Sequence, residues 1–289
     1  MIPFLAPLLH DGAQISWTGF SVHWSTVIGL ALFGALYEWR ARQGRRASGA
    51  TVSAGQRALF FTGIAVMFLS LNGPLHDLSD YYLFSAHMVQ HLLLTLVVAP
   101  LYVMGTPGWM LRPMLDWPLV GAAMRWLTRP AACFLSYVVC IAAWHLPPLY
   151  NLAMAHHNVH IVEHLLFIAT AVMMWWPIVS PMPELPRLSY PMQMLYLFLM
   201  SIPMSIVAVY ITYADSVLYP AYASAPRIWG LSPMDDQLLG GLIMWIPGGL
   251  FLYAIISVIF FRWQQRDGVE TTAGAQVDWT PPAEALATP

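Results

Sequence analysis

Apolar residues gather along this chain in seven long blocks, and the stretches between them hold nearly all of its charge. A run of about 18 or more apolar residues is long enough to cross the hydrocarbon core of a bilayer as a helix. The blocks predict helices at 21–39, 57–75, 83–104, 130–147, 159–180, 191–213 and 237–262. The second block is the weakest, because Gly63 and Ser70 interrupt it. The expected fold is all-α: a polytopic bundle of seven transmembrane helices within residues 1–263. After Arg266 the chain turns to Ala, Thr, Pro and acidic residues without periodicity, so 264–289 reads as a disordered cytoplasmic tail.

Composition strengthens this reading. Of 289 residues, 58% are hydrophobic and 9% charged, against roughly 25% charged in an ordinary soluble domain. The few charges also set an orientation. The chain has no lysine, and short cytoplasmic loops retain arginine. Arg40, Arg42, Arg45, Arg46 and Arg57 flank the first loop; Arg112, Arg125 and Arg129 lie in the third, Arg187 in the fifth, and Arg262 and Arg266 follow the last block. Only Arg227 falls on the other side. The amino terminus is therefore expected outside and the carboxyl terminus in the cytoplasm. Residues 1–9 are apolar but lack a basic leading segment, so the first helix is expected to serve as its own insertion signal. A net charge of −2, with arginines facing a membrane leaflet, gives no basic patch for nucleic acid. There is no internal repeat.

With depth assigned, none of the ten histidines is cytoplasmic. His10 and His23 precede or open the first helix, His76 follows the second, and His145 ends the fourth, while His156, His157, His160 and His164 run into the fifth. His87 and His91 are four apart in the third helix, as are His160 and His164 in the fifth, so each pair projects from one helix face at matching depth. His157 extends the second stripe. Such i,i+4 pairs recur as metal ligands, and strongly polar groups at membrane depth usually face a bundle interior or cavity. The two pairs are expected to meet as one site, with His145, His157, Glu163, Asp236 and Met244 as supporting or alternate ligands.

Other outward groups change the picture less. Asp77, Asp80, Asp215, Asp235, Asp236 and Glu163 read as an acidic vestibule that attracts cations. Met88, Met154, Met234 and Met244 lie in the outer half, and thioethers favour Cu(I), although Met along an apolar helix is mostly packing. Pro203 and Pro247 interrupt the sixth and seventh helices. Cys133 and Cys140 are seven apart on one helix, about 10 Å along its axis, too far for a disulfide, and read as buried apolar residues.

Four segments together resemble a known family. His87-Met88-Val89-Gln90-His91-Leu92, Trp144-His145-Leu146-Pro147-Pro148-Leu149-Tyr150, His160-Ile161-Val162-Glu163-His164 and Asp236-Gln237-Leu238-Leu239-Gly240-Gly241 before Met244-Trp245 resemble, in that order, the polytopic CtaG-type cytochrome c oxidase assembly proteins. The resemblance spans about Gly73 to Arg262. It implies a multi-pass protein of the bacterial cytoplasmic membrane, an assembly factor rather than an enzyme. Such a factor matures a haem–copper oxidase and holds or delivers copper at the outer face for subunit II. Its implied partners are oxidase subunits and membrane lipid.

Two other chemistries fit parts of the pattern. A histidine from the third helix and one from the fifth could ligate a haem iron from both sides, if the bundle leaves room for a porphyrin. His160-Ile161-Val162-Glu163-His164 also matches the H-x-x-E-H pattern of inverted zincins, in which Glu163 would act as base beside two zinc ligands.

Overall fold

The computed structural model describes residues 21–277, with side chains to residue 266, and among these every regular element is helical. The main helices are α1 (Trp24–Ser48), α2 (Ala54–Leu71), α3 (Pro74–Tyr81), α4 (Phe84–Gly105), α5 (Pro118–Leu127), α6 (Pro130–His145), α7 (Pro147–Ala155), α8 (His157–Val179), α9 (Tyr190–Thr212) and α10 (Pro233–Val277). His10 and the last residues of the expected tail, 278–289, lie outside the described residues. Helix α10 runs on past residue 263, where the end of the transmembrane domain was expected.

Local chemistry sets the helix boundaries. Helix α1 continues beyond the expected end at 39 because Arg, Ala and Gln propagate a helix well, and it stops at Gly49 (φ 70°), whose N–H returns to the Arg45 carbonyl. Helix α2 opens with a capping box: Ser53 Oγ accepts from the Gln56 N–H at 3.1 Å, and Gln56 Oε1 accepts from the Ser53 N–H. Helices α3, α5, α6 and α7 begin with proline in the first turn, where the missing N–H costs nothing.

Each of the seven expected blocks is helical, but fewer of the helices are by themselves long and apolar enough to cross a membrane. Helices α2, α4, α8, α9 and the Pro233–Arg266 part of α10 are long and apolar enough to cross a membrane, and α5 with α6, bent by 79°, form a sixth if they count as one span. Two physical causes reduce the number. The second half of α1 carries Glu38, Arg40, Arg42, Arg45 and Arg46, and α6, at 16 residues, is cut short by Leu146-Pro147.

Helix α4 is the hub, packing against α2, α3, α8 and α10. Its middle, Leu93–Val98, is a π-helical turn. There Thr95 Oγ1 donates to the His91 carbonyl at 2.7 Å, and Trp175 Nε1 donates to the Thr95 carbonyl at 2.9 Å. Helix α1 is attached by a single stripe, Leu30, Gly34, Tyr37 and Ala41, while Ile28, Leu32, Leu36 and Trp39 are exposed. At its far end Tyr37 Oη donates to the Gly105 carbonyl at 2.8 Å. Arginines cluster at that same end: Arg57 pairs with Glu38 (3.0 Å), Arg112 with Glu184 (2.7 Å), and Arg266 lies 5.6 Å from the Tyr190 ring. The histidines occupy the opposite end. Cys133 and Cys140 are free and buried, as expected.

Candidate metal site

The two histidine pairs meet. His87 and His91 stand in the first turns of α4, His160 and His164 in the first turns of α8, and the stripes face each other across the interface. The His87 ring stacks 5.5 Å from His160 and lies 6.0 Å from His164; His91 is 5.5 Å from His164. Within the stripes, neighbouring rings are 4.2 and 4.4 Å apart. Two overlapping groups present ligand atoms within 4.8 Å of one another: His87 with His160 and His164, and His87 with His91 and Glu163. Metal–nitrogen bonds of about 2.0–2.1 Å put neighbouring ligands of a tetrahedral ion about 3.4 Å apart. Small rotamer changes therefore close either group on an ion.

Burial gives the arrangement its chemical meaning. His87 is 0% and Glu163 1% exposed, and the other three rings are buried. Neither nitrogen of His87 or of His91, nor Nε2 of His145, His160 or His164, nor Glu163 Oε1 has a hydrogen-bond partner. The Ser79 carbonyl beside His87 also accepts from Tyr222 Oη at 2.7 Å. One unmade buried hydrogen bond costs about 1–3 kcal/mol, so several gathered in one spot call for a shared partner, and a cation suits a set made of imidazoles and a carboxylate. The donors contain no thiolate or thioether. Imidazole suits copper, zinc or iron.

A surrounding frame fixes the ligands. The Nδ1 of His145 lies 2.7 Å from the Ile141 carbonyl, so Nδ1 carries the hydrogen and Nε2 keeps its lone pair beside His91, 5.9 Å away between ring centres. Tyr219 Oη donates to the His145 carbonyl at 2.8 Å, and Tyr150 Oη donates to Tyr222 Oη at 3.0 Å. Burial pushes the Tyr222 hydroxyl well above its ordinary pKa, so it remains a hydrogen donor to Ser79.

Three expected participants stand elsewhere. Asp236 is occupied as a cap: its carboxylate accepts from the N–H groups of Phe84 and Ser85 and from Ser85 Oγ at the start of α4. Met244 belongs to the apolar core with Met88 and Met204. It lies one turn beyond Gly240, which packs on Phe84 and Met88 rather than on the histidines. His157 is exposed, with its ring 6.3 Å from His23. The acidic vestibule likewise loses Asp236 and Glu163, which are buried. Spacing alone missed His76 and Asp80, although their i,i+4 separation was a usable signal. It also missed Tyr150 and Tyr222, whose roles depend on a distant loop.

A cavity of about 1060 Å³ borders this site. His23, His76, Asp80, His157, His160 and His164 line one end, and mainly apolar residues of α1, α2, α4, α8 and the segment after α4 line the rest.

Residues 35–266 match the profile of the cytochrome c oxidase caa3 assembly factor family, Caa3_CtaG. The chain belongs to that family. The Caa3_CtaG match takes in both histidine pairs, Glu163 and His145. Among curated proteins, the uncharacterized proteins Mb0105 of Mycobacterium bovis and ML1998 of Mycobacterium leprae are each 24% identical to this chain, over 77% of its length and 36% of theirs. The chain thus spans about a third of the length of the curated relatives it matches. No solved structure matches.

Proposed function

We propose that this Caa3_CtaG protein binds copper in its histidine cluster and serves the copper centre of oxidase subunit II, as a non-enzymatic assembly factor. In this reading seven helices cross the bacterial cytoplasmic membrane. The amino terminus and the histidine end face outward, and the carboxyl terminus and the arginines face the cytoplasm. Lipid surrounds the exposed apolar faces, and oxidase subunits are the partners. One observation carries the proposal: His87, His91, His160, His164 and Glu163 converge from two helices with buried, unpartnered ligand atoms. The family supplies the connection to oxidase maturation, and copper is the metal of a haem–copper oxidase that imidazoles bind well.

The geometry favours neither alternative chemistry. A haem ligated between α4 and α8 needs a flat space between the helices, yet the Tyr150 ring lies 5.5 Å from His87 and the Phe167 ring 4.5 Å from His91. A zinc hydrolase needs Glu163 free to activate water in an open position. Instead Glu163 is 1% exposed and shares a ligand group with His87 and His91.

The test is a strain lacking the gene, complemented with wild type or with His87→Ala/His164→Ala. Oxidase activity and subunit II copper content are measured, with membrane insertion confirmed separately. The proposal expects both to fall in the variant. Normal copper loading with a correctly inserted variant would sink it.

A further inference from the structure

A second set of ligating side chains lies at the histidine end of the cavity, beside the inner histidines. Asp80 Oδ2 is 3.5 Å from His76 Nε2 and 3.7 Å from His160 Nδ1. Both separations exceed the roughly 2.7–3.2 Å of a good hydrogen bond. Both lie nearer the spacing of about 3.4 Å between neighbouring ligands of a tetrahedral ion. The His23 ring packs edge-on against His76 at 4.3 Å, and Nε2 of each is buried with no hydrogen-bond partner. His76 Nδ1 faces Gln90 Nε2 at 3.4 Å, too long to fix the tautomer of the ring.

The backbone holds this outer set in place. The His23 N–H donates to Asn72 Oδ1 at 2.8 Å, the Gly73 N–H donates to the Ser21 carbonyl at 3.2 Å, and the Ser21 hydroxyl donates to Asp77. The entry to α1 is thereby pinned to the turn that begins α3. His160 belongs to both sets: its Nδ1 faces Asp80, and its Nε2 is buried and unpartnered within the α4–α8 cluster. His23, His76, Asp80, His160 and His164 border the cavity, whereas His87 and His91 do not.

We propose that His76, Asp80 and His160, flanked by His23, form an outer cation position through which a copper ion reaches the inner group, with the His160 ring as the member common to both. This inference rests on the copper-binding reading above. An ion held by Asp80, His76 and Nδ1 of His160 needs only a turn of that ring to meet His164 and His87. The outer set thus governs how fast the inner group fills, and the inner group governs how tightly the ion is held.

The test uses the purified full chain in detergent with Cu(II) as probe. Loading is followed by stopped-flow quenching of tryptophan fluorescence, occupancy by equilibrium dialysis, and ligation by electron paramagnetic resonance. His76→Ala and Asp80→Asn should load roughly tenfold or more slowly, an effect of the size typical for groups supporting a metal site. Final stoichiometry, affinity and spectrum should match wild type. His87→Ala should instead lose tight binding. Unchanged loading in Asp80→Asn, with wild type binding tightly, overturns the relay and leaves the inner site standing. Lost affinity rather than lost speed also overturns it, because Asp80 would then be only a hydrogen-bond support for His160. Wild type that binds no Cu(II) removes the copper-binding reading and the relay with it. If His76→Ala does not fold, the nearly isosteric Asp80→Asn decides.

Discussion

Asp236 accepts the N–H of Phe84 at 2.7 Å, so a residue from the start of the last helix caps the helix that carries His87 and His91, 152 positions earlier in the chain. The same carboxylate takes the Ser85 N–H at 3.1 Å, and the whole contact is buried. A cap of this kind is worth about 1–2 kcal/mol, and its loss would strand two amides away from water. Asp236→Ala should therefore lower the thermal stability of the purified protein by about 2 kcal/mol, and Asp236→Asn by less because it keeps one acceptor. Equal stability of the alanine variant and wild type would show that the cap contributes nothing.

His87 is the only residue shared by the two ligand groups. His87→Ala should weaken copper binding by at least about tenfold, the lower end of what even supporting groups contribute. His157→Ala, at an exposed ring outside both groups, should leave the affinity unchanged. Equilibrium dialysis of the two variants side by side makes the comparison, and equal affinities would dissolve the assignment.

At the arginine end, Gly105 has no room for a side chain. A β-carbon there would come within 2.6 Å of the Phe60 backbone nitrogen. Gly105→Ala must push α2 from α4 and disturb the Tyr37–Gly105 hydrogen bond, costing about 1–3 kcal/mol as overpacking does. Thermal unfolding reads the loss. Copper affinity should hold, since the ligands sit at the other end of α4.

Reporter fusions after Gln43 and after Arg266 should both read cytoplasmic if the arginines mark that side. The fusion after Gln43 is the sharper of the two, because α1 carries five charged residues in its second half while Ile28, Leu32, Leu36 and Trp39 form an exposed apolar face. A periplasmic signal from it would remove α1 as a span and reverse the orientation argument.

Much of this was legible in the sequence, for identifiable reasons. Apolar blocks located every long helix because lipid-exposed helices must be apolar over a full crossing, and i,i+4 spacing placed each histidine pair on one face. Their meeting was also legible, since both pairs open their helices at the same end. The role of Asp236 was not, because a carboxylate beside a cluster of histidines looks like a ligand until its hydrogen bonds to Phe84 and Ser85 are seen. Met244 misled for a similar reason: rotation about the axis of α10 is set by Gly240 packing on Phe84. At α1 and α6 apolar character alone does not decide a crossing, because charge in the one and length in the other keep them from being long and apolar enough by themselves.

The π-helical turn at Leu93–Val98 puts the two halves of α4 out of phase. One residue of α-helix advances the azimuth by about 100°, so the extra residue in that wide turn lets His87 and His91 aim at α8 while Ala99–Gly105 keeps its own packing against both α2 and α8. Removing a single residue from the turn would leave a regular α-helix of unchanged hydrophobicity whose histidines point a quarter-turn or more away from His160 and His164. The meeting of the four histidines thus depends on a surplus residue in the backbone that no side chain reveals.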